Sequence, residues 1–154
     1  MIDSIQLTDF VRQWIEAFTI RSMHGWIQYV KLSGLSMPQF GILMNLHHNH
    51  TCSITDVSDS MDISTAAASQ LVDKLVQNGL LERAEDPKDR RAKLLTLSSK
   101  GRVVVEKGIE ARVSWARELV DALTPEEYES VAVALISLTR ATNRLEFKKT
   151  VKQQ

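Results

Sequence analysis

Apolar side chains recur along this chain at three- and four-residue spacings far more often than they alternate. Between Ile5 and Leu32 the positions Leu7, Phe10, Val11, Trp14, Ile15, Phe18, Met23, Trp26, Ile27 and Val30 keep that rhythm, which predicts a long helix with a broad apolar face. "SGLS" ends it. Ser36 with Gln39 three residues on makes a capping box, and Pro38 falls in the first turn, where its missing N–H costs nothing. A second helix is therefore expected from about Met37 to His47 or His48. A short helix from Asp56 to Met61 follows, with Thr55 as N-cap. Ser64 then caps a longer one that Asn78-Gly79 closes. On that helix Ala68, Leu71, Val72 and Leu75 form the stripe expected in the core. Thr65, Ala66, Ser69, Gln70 and Asp73 lie opposite, a small and polar face.

The period then changes. Leu80 to Glu85 and Ala92 to Leu97 read as strands, with Asp86-Pro87-Lys88-Asp89 as the turn between them. Ser98 or Ser99 caps a further long helix running through to Leu123. Thr124-Pro125-Glu126-Glu127 starts the last helix, whose apolar side is Tyr128, Val131, Ala132, Leu135, Ile136, Leu138 and Thr139. The fold class is mainly α with a small β-wing. A short helix, a tight turn, a helix with a small hydrogen-bonding face and then a two-stranded ribbon are the parts of a winged helix-turn-helix.

Composition narrows this only a little. With 44% hydrophobic and 25% charged residues in 154, the chain suits one soluble domain. A single cysteine excludes an internal disulfide framework and fits the cytoplasm. No apolar run suits a membrane, and "MIDSIQLTDF" lacks the pattern of a signal peptide. The formal net charge is zero, yet the bases gather. Lys88, Arg90, Arg91, Lys93, Lys100 and Arg102 face one acid, Asp89, between residues 87 and 102. Placed on a wing, that run meets DNA.

One stretch competes for attention. "LHHNHTCSIT" holds His47, His48, His50 and Cys52, residue types that bind zinc. Adjacent helical side chains diverge by about 100°, so His47 and His48 cannot share an ion. Pairing His47 with His50, or His48 with Cys52, needs the helix to continue through Asn49 and Thr51. Histidines in a last turn also suit the helix dipole, and the helix end is the preferred reading.

"LSMPQFGIL", "STAAASQLVDKLVQNGLLER" and "EDPKDRRAKLLTLSSKG" resemble the MarR family (multiple antibiotic resistance regulator) of bacterial winged-helix regulators. The likeness covers nearly the whole chain. Its most specific part is Asp-x-x-Asp-Arg-Arg followed in register by Leu-Thr-Leu and Lys-Gly. It implies a single MarR-type domain, with dimerisation helices at 1–35 and 103–150 around a winged helix-turn-helix lobe at 36–102. It also implies a short strand beginning at Ser53-Ile54 and paired with the wing. A homodimer of this kind inserts two lobes into a palindromic operator on double-stranded DNA, reading grooves about 34 Å apart. The first helix, apolar around much of its circumference, agrees with a dimer.

Carried over residue by residue, the resemblance places Thr65, Ala66, Ser69 and Gln70 in the major groove, with Gln70 able to bond an adenine edge. Ser64 would donate to phosphate beside its capping role. Arg90 would enter the minor groove, while Asp89 and Arg91 brace the wing. Lys88 stands where the family often has arginine and loses the planar fork. A small aromatic or anionic effector would sit among Trp14, Phe18, His24, Trp26, Tyr29, Met44 and Trp115, unless these simply pack the core and dimer. A peroxide-sensing branch carries its cysteine in the first helix, where this chain has none. A zinc-sensing branch uses histidines after the wing, and none occurs from Ser99 to Leu123.

The expected function is a dimeric, sequence-specific transcriptional regulator, a repressor modulated by a small ligand. Two alternatives remain: a metal-responsive regulator using His47 to Cys52, and a winged-helix protein-interaction module without DNA binding. No enzyme is expected, since no phosphate loop, nucleophile elbow or convergent carboxylate pair is present. Neither a cofactor nor a resident metal is expected.

Overall fold

The computed structural model describes residues 2–85 and 93–145. Its elements run α1 (Ser4–Leu32), α2 (Met37–Asn49), α3 (Ile54–Met61), α4 (Thr65–Gln77), β1 (Leu81–Glu85), β2 (Lys93–Leu97), α5 (Ser99–Val113), α6 (Ala116–Asp121) and α7 (Pro125–Thr142). The chain divides into two compact units, Met1–Trp115 and Ala116–Gln154.

Local chemistry explains most of the boundaries. Asp3 with Gln6, Ser36 with Gln39 and Ser53 with Asp56 each close a capping box, so two orphan backbone donors are satisfied at each start. Ser64 Oγ accepts from the Ala67 N–H at 3.2 Å. At the far end of α4, Gly79 takes φ +69°, a left-handed turn that glycine adopts without a Cβ clash. In the second unit Glu127 accepts from the Thr124 N–H at 2.8 Å, and Pro125 opens α7.

The core of the first unit gathers Ile42, Leu43 and Leu46 of α2, Val57 of α3, Ala68, Val72 and Leu75 of α4, Leu80, Leu81 and Leu95 of the hairpin, and Val105 of α5. Each fully buried Val, Leu or Ile contributes about 1.5–3 kcal/mol before entropy is counted. β1 and β2 pair antiparallel from Leu81↔Leu97 to Glu85↔Lys93, and Cys52 bridges Leu95 from the other edge of β2. Two buried hydroxyls are matched: Ser58 Oγ donates to the Thr55 carbonyl and Ser98 Oγ to that of Gly79. α5 lies against α1, with Tyr29 donating to the Val104 carbonyl at 2.9 Å.

Three expectations need correction. The strand at Ser53-Ile54 does not form; its pairing is reduced to the single bridge at Cys52, because Ser53 caps a helix that starts at Ile54. For the same reason Thr55 is not the N-cap. Thr55 would put Ser58 at the third helical position, where no carboxylate can bond back, whereas Ser53 puts Asp56 there. Last, the helix after the wing is not continuous to Leu123. It is interrupted at Ser114-Trp115, where Ser114 Oγ donates to the Ala111 carbonyl at 3.1 Å and competes with the helical ladder.

The approach of α5 to α1 depends on the absence of a side chain at Gly25. A Cβ there would sit 2.3 Å from the Ala111 carbonyl oxygen, whereas one at Gly41 meets nothing. Gly25→Ala is therefore expected to lose roughly 1–3 kcal/mol through overpacking. Gly41→Ala should be neutral or gain up to about 1 kcal/mol in helix propensity. Urea unfolding of the two variants checks this, and equal midpoints would refute the close packing of α1 on α5.

Candidate nucleic-acid interface

The interface is built by α3, a three-residue turn and α4. Asp62 ends α3 in the left-handed region, with φ 53° and ψ 46°, a conformation that Asp tolerates better than most residues. The Ile63 N–H then bonds the Ser58 carbonyl at 3.1 Å, and Ser64 starts α4. Because Ala68, Val72 and Leu75 go inward, the opposite face must go outward. Ser64, Thr65, Ala66 and Gln70 are exposed, with Ser69 half-buried between them. The four predicted groove residues and the phosphate-contacting Ser64 therefore lie along one accessible surface that begins at the helix N-terminus.

The hairpin leaves the C-terminal end of α4. Ser98 Oγ donates to the Gly79 carbonyl at 2.6 Å and accepts from the Gly101 N–H at 2.9 Å. Lys100 Nζ donates to the Asn78 carbonyl at 2.9 Å. Higher up, Arg83 of β1 forms an ion pair with Asp73 of α4. The sequence reading missed this contact. Its signal was Arg83 standing two residues after Leu81, on the side of the strand where alternation calls for an apolar residue. Lys93 and Arg102 are exposed. The predicted wing residues Lys88, Arg90 and Arg91 lie outside the described residues.

A sequence model described as the MarR family matches residues 33–92, which span the helix-turn-helix and most of the hairpin. A Bacillus subtilis protein, the HTH-type transcriptional regulator YfiV, is 28% identical over 74% of this chain and 71% of its own length. The transcriptional regulator Tm0710 from Thermotoga maritima superposes with a TM-score of 0.77, at 24% identity over 90% of this chain and 94% of that one. A DNA-bound Staphylococcus aureus structure, a point mutant of MepR with an oligodeoxyribonucleotide, gives 0.68 at 19% identity, over 86% and 97%. The last two likenesses are of fold.

By its helix-turn-helix and hairpin the chain is similar to the MarR family. It is a DNA-binding transcriptional regulator with a winged helix-turn-helix, and not an enzyme.

Among the residues expected to line an effector pocket, two groups form and two residues stand apart. Trp14, Phe18 and Trp115 meet with ring centroids 5.7–6.3 Å apart. The Trp115 Nε1–H donates to Ser22 Oγ at 3.3 Å, and Ser22, which sequence reasoning passed over, is buried. Trp26 and Tyr29 instead flank Phe40, at 5.9 and 6.2 Å. Burial pushes the Tyr29 hydroxyl above its ordinary pKa. Met44 packs against the helix-turn-helix core, and His24 is exposed. An open groove of about 430 Å³ is lined by Val103, Glu106, Lys107, Ile109, Glu110 and Val113 of α5, and by none of the seven.

The histidine-rich stretch is the end of α2. The helix reaches Asn49, and His50 follows as C-cap with φ 65°, its N–H bonding the Leu46 carbonyl at 2.9 Å. His47 and His48 stack edge to face at 5.7 Å. Among the described residues no three His, Cys, Asp or Glu side chains converge as a metal site. Cys52 is 5% exposed in the core, and burial, then the Asp56 charge, pushes its thiol up from 9.0 to about 11.

The raised thiol leads to a measurable outcome. Near pH 8 a thiol at about 11 rather than 9.0 has roughly a hundredfold less thiolate. Native Cys52 should therefore react with a thiol-specific disulfide reagent at least that much more slowly than the urea-unfolded chain. Because the neutral thiol is favoured in the folded state, its stabilising contribution is complete below 9.0 and lost as pH rises through about 11. Equal labelling rates in native and unfolded protein would refute the burial.

Proposed function

We propose that this regulator works as a homodimeric repressor. On this reading it binds a palindromic operator and releases it when a small aromatic or anionic effector lodges beside the dimer helices. The observation that carries DNA reading is the split of α4 between an inward Ala68–Val72–Leu75 stripe and an outward face of Ser64, Thr65, Ala66 and Gln70. Those side chains are short enough to let the backbone approach a groove. Thr65 and Ser69 offer hydroxyls to base edges, Ala66 suits a thymine methyl, and Gln70 pairs bidentately with adenine. Ser64 adds a phosphate contact to its cap. Lys88, Arg90 and Arg91 supply the wing, with Arg90 in the minor groove. That a similarly folded protein, a mutant of MepR, is bound to an oligodeoxyribonucleotide supports DNA binding.

The dimer is supported by apolar surface left open in the single chain. Phe10 of α1 is 55% exposed and Ile136 of α7 56%, and Ile5, Ile15, Ile20, Val133 and Leu135 are exposed beside them in sequence. Helices carrying so much exposed apolar surface need a partner, and a two-fold copy supplies the same faces. The Trp14–Phe18–Trp115 group is the part of the candidate pocket that supports an aromatic effector. The protein would act in the cytoplasm, where its operator is. No helix among the described residues is long and apolar enough to cross a membrane.

Selecting genomic fragments with the purified protein tests the reading, and an enriched palindrome is expected. On that palindrome Arg90→Ala should weaken binding by roughly 1–3 kcal/mol and lower the salt slope by about one. Absence of any enriched sequence would favour the protein-interaction alternative. Sedimentation equilibrium should give twice the chain mass at micromolar concentration, and Ile136→Glu should shift it towards monomer. A monomeric wild type would remove the dimer.

A further inference from the structure

Arg83 occupies an unexpected register position. It pairs with Leu95, which is wholly buried, and shares its strand face with Leu81, also buried. A strand face of that kind turns towards α4, and a charged residue is tolerated there only if its head finds a partner. The guanidinium donates to Oδ1 of Asp73, on the helix that carries the groove-reading face. Both side chains remain partly exposed, 34% for Arg83 and 47% for Asp73.

The hairpin is tied to α4 twice. One tie is the root, where Ser98 and Lys100 hold the carbonyls of Gly79 and Asn78. The root, with the Cys52–Leu95 bridge on the far edge of β2, still lets β1 tilt against α4. The Asp73–Arg83 pair lies roughly 10 Å out along the strand and about 8 Å back along the helix, and a second tie at that distance removes the tilt. We infer that Asp73 and Arg83 are positioning residues: their ion pair sets the angle between wing and recognition helix, so that the two enter adjacent grooves together. The inference rests on the DNA-reading assignment of α4 and the wing proposed above.

The sign of one substitution separates this from simple charge effects. Asp73 puts a negative charge on the DNA-reading helix, so removing it should tighten binding if only phosphate repulsion mattered. If the pair positions the wing, removing it should weaken binding. An exposed pair adds little to folding stability, so Tm is expected to stay at the wild-type value.

The experiment measures operator binding by fluorescence anisotropy, and Tm, for wild type, Asp73→Asn, Arg83→Met and the exchanged double variant Asp73→Arg with Arg83→Asp. Each single variant should bind roughly tenfold more weakly, and the exchange should recover most of the loss. On a shortened probe lacking the flanking base pairs that the wing would reach, all four proteins should bind alike. Asp73→Asn binding as tightly as wild type or tighter overturns the proposal. So does a loss in Arg83→Met that the exchange does not recover, because Arg83 then acts on DNA directly. If the wild type binds no selected fragment, the DNA reading itself fails and the positioning role falls with it; if the wild type binds and the variants match it, only the positioning role falls.

Discussion

Ser98 Oγ stands at the junction on which the rest of the lobe depends. It donates to the Gly79 carbonyl where α4 has just ended and accepts from the Gly101 N–H where α5 begins. Its own N–H bonds the Leu80 carbonyl at 3.1 Å. One buried hydroxyl thus closes the hairpin at its root and caps the helix that leads away from it. Helix ends and strand ends present orphan backbone groups, and burying them unmatched would cost about 1–3 kcal/mol each. Meeting three of them at one residue brings recognition helix, wing and α5 to a common point. Lys100, reaching the Asn78 carbonyl, strengthens the same junction from outside.

Given that junction, the function of α4 follows from its narrow apolar stripe. Ala68, Val72 and Leu75 pack into the core with residues of α2, α3 and the hairpin and leave Ala66 as the one apolar residue on the other face. The outward side can then be small and polar without cost to the core, which is the condition for approaching a groove closely. α3 serves this arrangement from below, through Val57 and the left-handed Asp62 that ends it. The histidines at the end of α2 belong to the same scaffold: His50 turns the chain, and Cys52, two residues on, buries its sulfur and bridges β2. Chemistry that looks reactive in a row of letters becomes a turn and a piece of core.

The candidate site was readable in unequal parts. Ser64 to Gln70 could be assigned because helix periodicity separates the two faces of α4 without reference to anything else. The residues of the expected effector set do not form one group, since aromatic residues at helical spacing do not say which neighbour they turn to. Trp26 and Tyr29 went to Phe40, Met44 to the core and His24 to the surface, leaving Trp14, Phe18 and Trp115 together. Arg83 was overlooked because its meaning lies in what stands opposite, not in its own strand.

By itself the chain determined most helix starts, the fold class and the order of elements, because capping boxes, proline at a first turn and a 3.6-residue rhythm act over three or four residues. The sequence also contained the Ser53–Asp56 box that starts α3, although the strand expectation obscured it. Only the tertiary structure decided how far α5 extends, which aromatics meet, and that a serine on α1 receives the indole of Trp115 from 93 positions away. It also decided that Arg83 turns back to Asp73. Those outcomes are contacts between distant segments, settled by the packing of whole elements against a shared core, and no local pattern carries that information.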